Sequence, residues 1–168
     1  ARVLCSRSSR SGQIIRIRNN LYILAERWLY LTQSERLQIA NRVQVPSYIS
    51  LTTAISYYGL SEQLYRGNIE SVAQKRSIEY HVRELRFIYR LIRPECYRGF
   101  THRDGVFVAE PEKALADIIY YSSIGRYAFD FSALDWRRLD DAKLSQWLML
   151  YPMHTGEWWR RSGYFSKT

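Results

Sequence analysis

The run SGQIIRIRNNLYIL, residues 11–24, decides how the rest of the chain is read. Residues 13–18 and 21–24 are two β-rich runs, joined by Asn19 and Asn20, whose side chains tolerate the left-handed conformations of tight hairpin turns. Within the first run Ile15 and Ile17 alternate with Ile14, Arg16 and Arg18, which predicts a strand with one apolar face and one mainly basic face.

Upstream of that run a short helix is expected, on which Val3, Leu4 and Ser8 could form a narrow inward stripe, with Arg2, Ser6, Arg7, Ser9 and Arg10 around it. Ser11 and Gly12 stop that helix. Helix, glycine, basic strand, Asn turn and strand is the order of the back half of a winged helix-turn-helix. There the recognition helix enters the major groove and the wing reaches phosphates or the minor groove. The alternative is a helix and hairpin packed on the remainder of the chain. The fold class expected is α+β: a remnant of a winged helix over residues 1–28, then a mixed α/β C-terminal domain over residues 29–168.

Composition supports a folded, basic chain. Its 168 residues are 46% hydrophobic and 15% aromatic, which excludes a disordered tail, and 8 Gly and 4 Pro exclude a collagen-like or low-complexity one. The net charge of +9 comes from 25 Lys and Arg against 16 Asp and Glu, and it is unevenly spread. Residues 1–28 hold six arginines against Glu26 alone, and residues 75–103 hold Lys75 and seven arginines against Glu79, Glu84 and Glu95. Arginine binds phosphate or a guanine edge with two parallel hydrogen bonds, so either block suits a polyanion. In the second block Arg83, Arg86, Arg90 and Arg93 mark a candidate second polyanion surface. No apolar stretch approaches the ~20 residues of a membrane span, and the N-terminus lacks the apolar core of a secretory signal. With Cys5 and Cys96 far apart, neither a zinc site nor a disulfide framework is expected, and a cytoplasmic location is.

After Trp28 helical patterns take over. Ser34 reads as the N-cap of a helix over residues 35–43, ended by Pro46. Ser50 reads as the cap of a second over residues 51–58, stopped by Gly59. From about Ile69 to Val108 the period is two, with residues 85–92 predicted as a strand buried on one face, and residues 78–82 and 106–108 as further strands. Pro111 opens a helix through Tyr121, and one more spans residues 140–151, followed by Trp158 and Trp159.

Enzyme signatures are sparse. Phosphate-cradling loops, H-E-x-x-H and G-x-S-x-G are absent, and His81, His102 and His154 are scattered. Glu110, Glu112 and Lys113, with Asp104 upstream, have the residue types of a metal-dependent nuclease, in which carboxylates hold a hard cation beside a lysine. Helix capping and dipole compensation explain the same cluster, so no catalytic residue, cofactor or metal is expected. Tyrosines among arginines, as at Tyr80 and Tyr89, suit either base stacking or a core boundary.

Two long segments, PSYISLTTAISYYGL at residues 46–60 and VAEPEKALADIIY at residues 108–120, occur in order behind the basic hairpin of residues 12–23. Together they resemble the AbiEi-type antitoxin and transcriptional-regulator family over about residues 1–150. The resemblance implies a winged helix on operator DNA, a C-terminal α/β domain, repression of the protein's own operon, and counteraction of a nucleotidyltransferase-like toxin. It further implies DNA-facing roles for Arg2, Ser6, Arg7, Ser9, Arg10, Arg16, Arg18, Asn19 and Asn20, and homo-oligomers on DNA. The first helices of the winged domain are missing from the pattern, so the chain is expected to be N-terminally truncated. The alternative function is a protein- or RNA-interaction module using residues 83–103.

Overall fold

The computed structural model describes residues 13–61 and 67–164 and shows a mixed α+β fold. The expected hairpin is present. Strand β1 (Ile14–Arg18) pairs antiparallel with β2 (Leu21–Leu24), and Asn20 takes the left-handed conformation, φ 63°, that the turn demands. A single helical turn, α1 (Ala25–Leu29), leads into α2 (Gln33–Val43). After it come β3 (Ser47–Ile49), α3 (Leu51–Tyr57), β4 (Asn68–Ala73), β5 (Ile78–Val82), β6 (Leu85–Leu91), β7 (Phe100–Arg103) and β8 (Val106–Ala109). Helices α4 (Pro111–Ser123), α5 (Asp141–Leu148) and α6 (Met153–Arg161) close the chain.

Strands β3 to β8 form one six-stranded sheet in the order β5-β6-β4-β3-β8-β7. The two outer hairpins, β5–β6 and β7–β8, each lay their second strand parallel to an inner strand, β6 on β4 and β8 on β3. Helix α2 covers one face, where the Tyr89 hydroxyl donates to the Ala40 carbonyl at 2.6 Å. Helix α4 covers the other, where the Tyr121 hydroxyl donates to the Leu91 carbonyl at 2.9 Å. Nine of its thirteen residues are buried, because α3, α5 and α6 pack on the sides turned away from the sheet. No helix among the described residues is long and apolar enough to cross a membrane.

Several local expectations change. Thr32, not Ser34, caps α2: its hydroxyl accepts the Glu35 N–H while the Glu35 carboxylate accepts the Thr32 N–H. Both residues have capping side chains, and Thr32 wins because only it has an acid three positions on. Ser50 precedes α3 but makes no cap bond, since its hydroxyl turns to Asp117. Strand β6 is buried on both faces at its centre, with Ile88 as well as Phe87 and Tyr89 covered, because α4 occupies the face expected to meet solvent. The last expected helix is α5, which stops at Leu148 rather than Tyr151, and the Trp-rich segment beyond it forms a further helix, α6, whose Trp159 joins the core. Ile15, Ile17 and Trp28 belong to the same continuous core as Leu37, Val82 and Leu85, so packing crosses the expected division at residues 28 and 29.

Candidate nucleic-acid interface

The alternation in β1 sends Ile15 and Ile17 into the core and Arg16 outward. The Arg16 guanidinium donates to the Asn19 side-chain carbonyl across the turn, so the outward arginine is held beside two exposed asparagines. Arg18 is half-buried and donates to the Val43 carbonyl at the C-terminal end of α2. The last carbonyls of a helix lack partners within it, and its dipole favours a cation there, so Arg18 fastens the hairpin to α2. Trp28 adds a second tie, its indole N–H donating to Glu84 at 2.8 Å.

That docking lays β1 against β5, and the chain between β4 and β5 brings Lys75 and Arg76 beside the hairpin. Three adjoining hollows result. The first, about 570 Å³, lies among Arg16, Arg18, Asn19, Arg76 and Tyr80. A second runs past Arg18, Gln44, Lys75 and Arg76, and a third past Arg16, Asn19, Asn20 and Tyr22. Among the described residues four cations line this surface and no carboxylate does. Sequence reasoning placed Lys75 and Arg76 in the other basic block. Some sixty residues separate them from Arg16, and only the docking of β1 on β5 unites them.

The second block is arranged differently. Arg83 sits in the β5–β6 turn with φ 51°. Arg86 gives two hydrogen bonds, 3.0 and 2.7 Å, to one Glu79 oxygen, and His81 lies 3.5 Å from the same oxygen. Arg90 lies half-buried over the rings of Tyr127 and Tyr121, 5.0 and 5.7 Å from their centres, and 3.9 Å from Glu70. Arg93 lies 3.9 Å from Glu95. Three of the four guanidiniums therefore already face a carboxylate, and one is wedged under α4.

The acid and lysine cluster also disperses. Glu110 occupies the N-cap position of α4, and the Glu112 carboxylate accepts the Asp140 N–H at 3.0 Å. The Asp104 carboxylate accepts the Tyr57 hydroxyl at 3.1 Å. Lys113 is fully buried, its ammonium donating to Asp117 Oδ1 (2.6 Å), Tyr48 (2.9 Å) and Tyr151 (2.7 Å). Asp117 in turn accepts the hydroxyls of Tyr151, Ser50 and Tyr48 at 2.5, 2.7 and 3.2 Å. Burial pulls the Lys113 ammonium below its ordinary value, with Asp117 opposing, and pushes the Tyr48 and Tyr151 phenols up. The cluster is a closed polar joint between β3, α4 and the α5–α6 connection. Among the described residues no three His, Cys, Asp or Glu side chains are grouped to hold a metal ion.

Arg2, Ser6, Arg7, Ser9 and Arg10 lie outside the described residues. Comparison with known proteins finds no matching family model, no matching curated protein and no matching solved structure.

Proposed function

We propose that the β1–β2 hairpin is the wing of a DNA-binding unit, and that the protein is an AbiEi-like antitoxin and repressor acting in the cytoplasm. In this reading it binds double-stranded operator DNA, in homo-oligomers, and counters a nucleotidyltransferase-like toxin. The observation that carries the DNA-binding part is the surface where Arg16, Arg18, Lys75 and Arg76 line adjoining hollows that no acid among the described residues enters. Clustered cations without counter-charges bind a phosphate backbone by releasing its condensed counterions, whatever the sequence. Arg16, exposed at the turn, is placed for a phosphate or for the minor groove, while Arg18 holds the hairpin in its pose. The antitoxin and toxin parts rest on the resemblance of residues 46–60 and 108–120 to the family.

The test is fluorescence anisotropy of the protein, expressed from its complete reading frame, on its own upstream duplex and on a random duplex over a range of salt. The upstream duplex binds more tightly, and Arg16→Ala weakens both while lowering the salt slope by about 1. Equal affinity for both duplexes sinks the repressor. An Arg16→Ala variant that binds as the parent does sinks the wing. A rival surface over residues 83–103 is less suited, because Arg86 and Arg90 are already engaged by Glu79 and Glu70.

A further inference from the structure

A separate hollow of about 240 Å³ opens where α2 begins, beside α3 and the first residues of the parallel pair β4 and β6. Its floor is apolar, formed by the buried side chains of Leu37, Ile69 and Leu85. Its walls are polar, and the helical repeat explains why. Arg36 follows Gln33 by three residues on α2, and Ser56 follows Thr53 by three on α3, so each pair shares one helix face.

Among the described residues Arg36 is the one charged side chain lining the hollow. Its Nε is enclosed and has no hydrogen-bond partner, and among the described residues Arg36 has no ion pair. The nearest carboxylate in sequence, Glu35, is turned to Thr32 and Arg27 instead. The Thr53 hydroxyl accepts the Glu70 N–H at 2.9 Å and keeps its own proton for another acceptor. Ser56 and the Asn68 amide add further donors at the wall. Enclosed donors are costly to leave unmade, and this set offers a guanidinium fork and neutral donors to an oxyanion.

We infer that this hollow binds a small organic monoanion, a short-chain carboxylate. Its head sits on Arg36 with Ser56 and Asn68, and its carbon chain lies on Leu37, Ile69 and Leu85. Among the described lining residues one cation, Arg36, meets one negative charge, whereas a phosphate dianion would bring a second charge to an apolar floor. The space of about 240 Å³ suits a carboxylate of a few carbons. This site lies apart from the hairpin surface and shares no lining residue with it.

The experiment is a titration followed by two-dimensional ¹H–¹⁵N NMR, with butyrate, inorganic phosphate and butylamine as probes, reading the Arg36 Nε–H signal and the amides of Ser56 and Asn68. Butyrate gives saturable shifts at all three, phosphate binds more weakly, and butylamine gives none. Arg36→Gln, and independently Ser56→Asp, each keep a dispersed spectrum and weaken butyrate roughly tenfold or more by removing a charge-assisted bond or adding a repelling charge. The site is overturned by absence of saturation with butyrate, by an equal response to butylamine, by phosphate binding as tightly as butyrate, or by shifts that persist in both variants.

Discussion

Arg16 and Arg90 are both arginines on β-strands at alternating positions, yet the fold treats them oppositely. Arg16 projects from a two-stranded hairpin with one covered face, beside Arg18, Lys75 and Arg76 and with no acid among the described residues in the adjoining hollows. Arg90 projects from a sheet covered on both faces, so its guanidinium is pinned by Tyr121, Tyr127 and Glu70 under α4. The same residue type thus stays exposed where the second face of the strand is open, and serves the core where that face is covered. Net charge alone cannot separate these cases, because each block carries a similar excess of cations.

The buried Lys113 and Asp117 cluster is the limit of the second case, and disturbing it has the largest expected effect. Asp117→Asn leaves a buried ammonium without its counter-charge, and loss of one partner of a buried pair costs about 3–5 kcal/mol. Urea unfolding measures it. The double variant Lys113→Met with Asp117→Leu recovers most of that loss, because neither charge then needs solvation in the core. The sign with pH follows from Lys113. Its folded-state value is depressed by burial, and more so without Asp117, so the unfolded chain binds more protons and the single variant regains stability as pH rises. A single variant that unfolds at the parent's urea midpoint shows that the pair does not hold the joint.

Next in size is Arg90→Ala. It leaves Glu70 without a cation, held in its charged form by Tyr127, through a 2.5 Å hydrogen bond, and by Thr52, and costs about 1–3 kcal/mol by urea unfolding at neutral pH. Burial holds the Glu70 carboxyl above its ordinary 4.5, with Tyr127 and then Arg90 opposing. A raised carboxyl value means that the folded state keeps its proton longer than the unfolded one, so stability falls as pH climbs from 4.5 through the folded value. Without Arg90 that decline is steeper, and parent and variant converge under acid conditions where Glu70 is protonated. Nucleic-acid affinity stays at the parent level. If Arg90→Ala instead lowers the salt slope, Arg90 belongs with Arg16 and the contrast between them fails.

What the chain reveals in one dimension follows the same division. The hairpin is legible because β1 is short, alternates strictly and ends in Asn19 and Asn20, all of them local signals. Strand β3 is not, since Ser47, Tyr48 and Ile49 are all buried and offer no alternation to read. The i,i+4 spacing of Lys113 and Asp117 is visible in sequence, but spacing alone does not tell a buried pair from a surface one. Only Tyr48 and Tyr151, 65 and 38 residues from Lys113, turn it into a buried cluster. The unity of Arg16 with Arg76 is hidden for the same reason, because it depends on strand docking rather than on any local pattern.

The smallest expected effect comes from Arg86→Ala, and it is the most discriminating. Arg86 is as visible in sequence as Arg16, lies on β6 one strand in from the edge strand β5 and stays 44% exposed, so a simple count of surface arginines would rank the two alike. The difference is Glu79, which takes both of its hydrogen bonds. A solvent-exposed pair of this kind contributes about 0.2–1 kcal/mol, and less as salt screens it. A guanidinium already facing a carboxylate also brings little net charge to a phosphate, since approach must first undo or carry along the paired anion. Arg86→Ala therefore shifts the urea midpoint slightly and leaves the salt slope of DNA binding unchanged, whereas Arg16→Ala leaves the midpoint and lowers the slope. Glu79→Gln is the converse: it frees Arg86, and if pairing is what silences that arginine, the slope of this variant rises above the parent's.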